Sequence, residues 1–155
     1  MKLFLFIILL ILFLAEYFKS NKIDPRILCA AIGLFFFAIS YFIVSIASYF
    51  GFRQGAEYST ELIMVSGKGF LFWSLLLGLV FFEGSKFVRS NLFQLLGLIF
   101  YLATYFTFQY SFRIWSSFLL LFFISCSNLT GFRKTMFFCM FFMIFCSAWC
   151  FNTFQ

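Results

Sequence analysis

Carboxylates and cysteines are the side chains of this sequence best suited to chemistry, and there are five of each. Glu57 and Glu61 stand four residues apart, so on a helix their carboxylates would share a face and could share a proton or bind a cation. Arg53 and Lys68 flank them, which favours a solvated loop instead. Lys68 follows Gly67, but position 62 is leucine and not the glycine that a phosphate-binding loop requires.

The cysteines suggest a metal or redox centre, because Cys139, Cys146 and Cys150 would lie on one face of a helix. Metal sites of this kind need closely spaced pairs with help from histidine or carboxylate. The sequence contains no histidine. We therefore interpret these three residues, together with Cys29 and Cys126, as small apolar side chains. The sequence predicts no catalytic residue, no cofactor and no metal.

The composition indicates which solvent these residues meet. The chain has 155 residues, of which 65% are hydrophobic and 10% charged, and its mean hydropathy is +1.07. Water-soluble domains carry about 25% charged residues, and a domain of this size leaves roughly 30% of its unfolded-chain surface exposed. This chain has too few polar residues to cover that surface. The composition therefore predicts an integral membrane protein.

Apolar runs of about 17 to 25 residues are long enough for a helix to cross a bilayer. The runs here predict an all-α fold, a polytopic transmembrane bundle forming a single domain over residues 1–155. Five spans are the alternative to six, because the fifth run is short. The first run is read as a retained helix, not a cleaved signal peptide, because no small-x-small site closes it. The predicted spans are 3–18, 27–50, 70–82, 92–108, 114–126 and 136–151.

The distribution of lysine and arginine predicts an orientation, because cytoplasmic loops carry more of them. The termini would lie on the non-cytoplasmic side, most simply of a bacterial inner membrane, with a mitochondrial inner membrane as the alternative. Trp73, Trp115 and Trp149 fall near the outer span ends, where indoles prefer the interface. The predicted outer cations are Lys2, Arg53, Lys68 and Arg113. The predicted inner cations are Lys19, Lys22, Arg26, Lys86, Arg89, Arg133 and Lys134.

Polar residues within the predicted spans are few. Every charge can be placed near a span end, which argues against an ion-coupled transporter. Small residues at seven-residue spacing predict a packing seam along the second span, and these are Ala31, Ala38 and Ser45. Neutral polar residues that could still line a path for a solute are Gln94, Thr104, Thr107 and Gln109.

Two family resemblances follow from short matching stretches. Three short pieces follow one another along the chain: Val65-Ser66-Gly67-Lys68, Arg89 with Leu95-Leu96-Gly97-Leu98, and Ser125-Cys126-Ser127 with Arg133-Lys134. Their order resembles that of the ferric-reductase-like transmembrane family, specifically the haem-binding membrane subunit of the methionine-sulfoxide reductase system. That family binds haem through histidines, so the resemblance implies a haem-less redox relative with no ligand residue carried over. Asp24-Pro25 and Ala38-Ile39-Ser40 are similar to a small core membrane subunit of respiratory complex I.

These observations predict a non-catalytic accessory or structural membrane subunit that acts through helix packing. Its partners would be the lipid bilayer and a membrane protein or further copies of this chain. The net charge of +6 is spread singly and in pairs, which argues against nucleic acid as a partner. The alternatives are the haem-less redox relative and, third, the complex I subunit or a transporter of neutral solutes.

Overall fold

A computed structural model describes residues 2–19, 23–42, 49, 67–107 and 111–153. Within these ranges all regular structure is α-helical. Six helices in these ranges overlap the predicted spans, and one further short helix lies in the loop after residue 82. The helices are α1 (Lys2–Lys19), α2 (Pro25–Ser40), α3 (Gly67–Phe81), α4 (Ser85–Ser90), α5 (Leu92–Thr104), α6 (Ser111–Ser127) and α7 (Gly131–Thr153).

Local sequence signals set where several helices begin. Pro25 occupies the first turn of α2, and the carboxylate of Asp24 accepts a hydrogen bond from the backbone N–H of Arg26 at 3.0 Å. This is the N-cap arrangement that satisfies a helix's free N–H groups. Gly84 before α4 has φ of 125° and Gly131 at the start of α7 has φ of 53°. Both values lie in a region that favours glycine, so these two glycines set the sharp turns.

The central helix is α5, which packs against α1, α2, α3 and α6. Its residues 95–101 are all buried, and a helix buried on every side must be surrounded by other elements. Gly97 allows the closest approach, since a Cβ at this position would lie 2.6 Å from Cγ of Phe118 on α6. The backbone of α5 therefore rests directly against a buried phenylalanine ring.

Aromatic side chains fill the core beside α5. Trp115 on α6 is fully buried, and its ring centroid lies 5.0 Å from that of Trp73, 5.3 Å from that of Phe122 and 6.1 Å from that of Tyr101. Such edge-on and offset contacts suit aromatic rings. The prediction that Trp73 and Trp115 lie at an interface is wrong, because both are core residues. The side chain of Trp149 lies outside the described residues.

The prediction of a polytopic transmembrane bundle is wrong. Among the described residues, no helix combines the length and the apolar character needed to cross a bilayer. Four of the six predicted spans correspond to helices of 16, 15, 13 and 17 residues. Two of the apolar runs, 27–50 and 92–108, continue several residues past the helix ends. The run 27–50, for example, corresponds to a helix that ends at Ser40.

The two longer helices carry charges inside their bounds. In α1, Lys2, Glu16 and Lys19 fall within 18 residues, and α7 has Arg133 and Lys134 in its first turn. The predicted spans 3–18, 70–82, 92–108, 114–126 and 136–151 correspond to helices of the bundle, and in the part of the chain that the structure describes none of these helices is long and apolar enough to cross a bilayer. The predicted inner-membrane localisation and the predicted orientation of the termini were both derived from these spans. Neither is supported by the structure.

The predicted packing seam on α2 is also wrong where it can be examined. Ala31 and Ala38 are exposed, and Ser45 lies outside the described residues. The buried face of α2 consists of larger residues, among them Leu28, Ile32 and Phe36. Close packing of this helix therefore relies on branched and aromatic side chains and not on alanine.

Many large apolar side chains remain exposed on the outer faces of the helices. On α1 these include Leu5, Leu9 and Phe13, and on α7 they include Phe138 and Phe142. Contiguous apolar surface beyond a few hundred Å² marks sites of interaction. The outer faces of the bundle are therefore where function must be sought.

Candidate functional site

The strongest candidate site is a groove between α3 and α7, with a cavity volume of about 680 Å³. Binding pockets for small ligands and side chains typically measure about 300 to 1,000 Å³. Two short rows of residues at helical spacing form its walls. The lining residues are Ser74, Leu75, Gly78, Leu79 and Phe82 from α3 and the turn after it, with Arg133, Met136 and Met140 from α7.

The groove exists because α3 and α7 present small or flexible side chains to each other. Gly78 has no side chain, and nothing lies within 4 Å of the position that a Cβ would occupy. Met136 and Met140 stand one turn apart on the opposite wall. Methionine is unbranched and adapts its shape to what it contacts. The groove is therefore open at its centre and has a deformable wall.

A polar junction closes one end of the groove. The guanidinium Nη1 of Arg133 lies 2.8 Å from Oε2 of Glu83 and donates a second hydrogen bond to the backbone carbonyl of Phe82 at 3.0 Å. The hydroxyl of Thr130 donates to Oε1 of Glu83 at 2.6 Å. Both carboxylate oxygens are thus bonded, and the cation sits at the C-terminal end of α3, where it complements the helix dipole.

The two charged side chains of this junction differ in exposure. The Glu83 side chain is 8% exposed and the Arg133 side chain is 40% exposed. Among the described residues, Nη1 is the only atom of this guanidinium that donates a hydrogen bond. Arginine carries five N–H donors. The junction therefore presents unused donors at the end of an apolar groove.

More positive charge surrounds the junction. Lys86 and Lys134 are exposed close to it in sequence, and Nη2 of Arg89 donates to the carbonyl of Ile23 at 2.7 Å. That bond joins α4 to the segment just before α2. Arg26 belongs to the same end, because its Nη2 would lie 3.8 Å from a Cβ at Gly84. Cations outnumber carboxylates here, so this end attracts anions.

A second cavity, of about 520 Å³, lies among α2, α3 and α5. Among the described residues that line it, Tyr41, Ser74 and Thr107 are polar and none is charged. The described lining therefore gives this cavity no electrostatic preference for a ligand. The groove between α3 and α7 is the better candidate.

The cysteines do not form a metal site among the described residues, where no group of three possible ligands comes together. Cys29 and Cys126 are buried, Cys139 is exposed and Cys146 is half-buried. Burial raises the pKa of the Cys29 and Cys126 thiols from 9.0 to about 12. Thiols with so high a pKa are poor nucleophiles and ligands. The side chain of Cys150 lies outside the described residues.

Three of the four neutral polar residues that could line a path along α5 are described by the structure. Thr104 is buried, and its hydroxyl donates a hydrogen bond to the carbonyl of Phe100 at 2.8 Å. The donor of this hydroxyl is therefore paired within its own helix. The Thr107 hydroxyl makes a similar bond, 3.4 Å long, to the carbonyl of Thr104. Gln94 is half-buried, and Gln109 lies outside the described residues.

The other residues considered from the sequence take no part in the groove. Lys68 is exposed in the first turn of α3. Glu57, Glu61 and Arg53 lie outside the described residues. Sequence reasoning missed the pairing of Glu83 with Arg133, because the two are fifty positions apart in the chain. The one available signal was that Glu83 and Arg133 each lie next to an apolar run of the sequence.

Comparison with known proteins finds no family model that matches the chain, no similar curated protein and no similar solved structure. The resemblances to the ferric-reductase-like family and to a complex I subunit therefore stay predictions. The function has to be argued from the geometry of the chain itself.

Proposed function

We propose that this protein is an accessory protein that binds an apolar helix of a partner protein in the groove between α3 and α7. The observation that carries the proposal is the combination of an open apolar groove with a half-exposed arginine at its end. Helix-in-groove recognition uses an apolar face of one helix laid between the walls of another protein. The partner segment is expected to carry an acidic residue where it meets the junction.

The dimensions of the groove suit a short helical segment. Its wall on α3 extends from Ser74 to Phe82, which corresponds to about 12 Å at a helical rise of about 1.5 Å per residue. That length accepts roughly two turns of a partner helix, whose anchors would recur every three or four residues. Met136 and Met140 can adjust to the anchors, as methionines do at adaptable binding surfaces.

The charge at the end of the groove gives the partner a direction. Glu83 forms an ion pair with one cation, and Lys86 and Lys134, which are close to this pair in sequence, are exposed. An acidic residue on the partner would accept hydrogen bonds from the remaining donors of Arg133. Such charge-assisted bonds are stronger than neutral ones. A partner with a lysine at that point would be rejected, because like charges brought together cost several kcal/mol.

Binding of designed peptides to the full chain tests this function. The probes are leucine- and alanine-rich helical peptides that carry one glutamate at either end, with glutamine or lysine versions as controls. We expect the glutamate peptide in one orientation to bind about tenfold more tightly than its glutamine version, which corresponds to one charge-assisted contact. Failure of the whole panel to bind would contradict the proposal.

Two glycines of α3 provide a matched pair of variants. Gly78 lines the groove and Gly67 does not, yet an added Cβ would meet nothing within 4 Å at either position. Gly78→Leu is expected to fill the groove and weaken peptide binding by about tenfold or more, whereas Gly67→Leu changes it less than about twofold. Equal effects of the two substitutions would show that the peptide binds elsewhere.

A further inference from the structure

The first helix has apolar side chains on two opposite faces. Ile7, Ile11 and Ala15 are buried, on the side where α1 packs against α5. The opposite face exposes large apolar side chains from residue 5 to residue 17, and Leu9 at its centre is 53% exposed. A helix that is apolar all round is normally covered on all sides. None of the residues on this face lines the groove between α3 and α7.

The exposed residues are arranged symmetrically about Leu9. At about 100° per residue, Leu5 and Phe13 lie at equal angles on either side of Leu9, and Phe6 and Leu12 form a second such pair. All five are exposed. A face with this symmetry is self-complementary, which is the requirement for contact between identical surfaces across a two-fold axis.

Antiparallel packing of two such faces produces matching contacts. With the two-fold axis at Leu9, Leu9 of each copy faces its equivalent. Leu5 of each copy then faces Phe13 of the other, and Phe6 faces Leu12. The apolar surface left exposed on α1 would be buried along its length.

Charge favours the same register. Glu16 is exposed and lies 4.0 Å from Lys19, an exposed ion pair of a kind that contributes little stability. In the antiparallel register Glu16 comes opposite residue 2 of the other copy, where the sequence has Lys2 and where the helix dipole is positive. A parallel pair would instead bring Glu16 against Glu16, which is repulsive.

We propose that α1 joins two copies of this chain in an antiparallel dimer centred on Leu9. This inference goes beyond the proposed function, because it assigns a second surface with a different occupant. The dimer would leave the groove between α3 and α7 of each copy available to a partner.

Disulfide trapping tests the dimer and its register in the full chain. Cys139, Cys146 and Cys150 are first changed to serine so that no thiol of α7 takes part in the reaction. Leu9→Cys is then expected to form covalent dimers under mild oxidation, while Leu120→Cys, at an exposed position of α6, does not. Leu5→Cys alone should not crosslink, because the two copies of residue 5 would be about 12 Å apart along the axis.

Mixing provides the decisive comparison. Leu5→Cys protein mixed with Phe13→Cys protein is expected to form mixed covalent dimers at a yield at least about five times that of either alone, given the short sulfur–sulfur reach of a disulfide. Efficient crosslinking of Leu5→Cys with itself would overturn the antiparallel register. Equal crosslinking of Leu9→Cys and Leu120→Cys would overturn the dimer itself.

Charge reversal supplies an independent measurement by analytical ultracentrifugation. Glu16→Lys is expected to weaken dimerisation about tenfold, because two symmetric attractions become repulsions. The double variant Lys2→Glu and Glu16→Lys should return the dissociation constant to within about threefold of the original. A monomer at every concentration tested, or a double variant no tighter than Glu16→Lys alone, would overturn the proposal.

Discussion

Two helix pairs of this molecule, α5 with α6 and α3 with α7, use glycine in opposite ways. At Gly97 on α5, the missing side chain is replaced by the ring of Phe118, whose Cγ would lie 2.6 Å from a Cβ. At Gly78 on α3, a Cβ would meet nothing within 4 Å. The first pair forms a tight, dry contact, whereas the second encloses a groove of about 680 Å³.

The difference separates stability from binding. Protein interiors are packed as densely as organic crystals, so the contact between α5 and α6 has no room for change. The groove contributes little packing of its own, and the link between α3 and α7 at its end depends on the pair Glu83 and Arg133. The same residue type therefore marks a structural contact in one place and an open site in the other.

Adding one methyl group to each glycine tests this comparison directly. Gly97→Ala is expected to lower the free energy of unfolding by about 3 kcal/mol, because the buried Phe118 ring has no free space into which to move. Gly78→Ala should raise it by about 0.5 to 1 kcal/mol, since alanine favours helix and meets no neighbour. Denaturant unfolding followed by circular dichroism measures both values.

A smaller side chain at position 118 tests whether contact with Phe118 causes the destabilisation by Gly97→Ala. In a Phe118→Leu background, Gly97→Ala should cost at least about 1 kcal/mol less than in the original chain, because the two residues are in direct contact. An unchanged cost would mean that Phe118 is not the obstacle. A destabilising effect of Gly78→Ala similar to that of Gly97→Ala would remove the contrast between the two helix pairs.

Much of the helical architecture could be predicted from the sequence, but the lengths of several helices could not. The apolar runs coincide with α1, α2, α3, α5, α6 and α7 because breaks such as Asp24-Pro25 and Gly131 carry strong local signals. Hydropathy does not report where a helix ends inside an apolar run. That is why the run 27–50 suggested a membrane span although the helix stops at Ser40.

The candidate site was less predictable than the fold. Gly78 and Met140 look like ordinary core residues in the sequence, and their role follows only from the spacing between α3 and α7. Likewise, the burial of Trp73 and Trp115 depends on contacts among several helices. Local patterns cannot encode such contacts, so the sequence suggested interfacial positions for both tryptophans.

The polar junction of Glu83 and Arg133 extends the comparison of the two helix pairs, because it joins α3 to α7 at one end of the groove. Glu83→Ala should lower the free energy of unfolding by about 2 kcal/mol, since it removes bonds to Arg133 and Thr130 and leaves a partly buried cation with fewer partners. Thermal unfolding measures the change. Lys134→Ala, which removes an exposed charge one residue away from Arg133, is the matched control and should have almost no effect.

An equal loss for Glu83→Ala and Lys134→Ala would show that net charge, and not the junction, sets the stability of this end. A result near zero for both would mean that α3 and α7 do not depend on the ion pair. The comparison of helix pairs would then rest on the glycines alone.

The smallest effect expected is chemical and leaves stability unchanged. Cys126 on α6 is buried, while Cys139 on α7 is exposed, so the two cysteines compare the core beside α6 with the outer surface of α7. Burial raises the pKa of Cys126 to about 12, so at pH 8 only about one thiol in ten thousand would be ionised. Because the thiolate is the reactive form, iodoacetamide at pH 8 should label Cys139 within minutes and leave Cys126 unmodified, as mass spectrometry of peptides can measure. Rapid labelling of Cys126 in the folded protein would mean that the core beside α6 opens on the timescale of the labelling reaction.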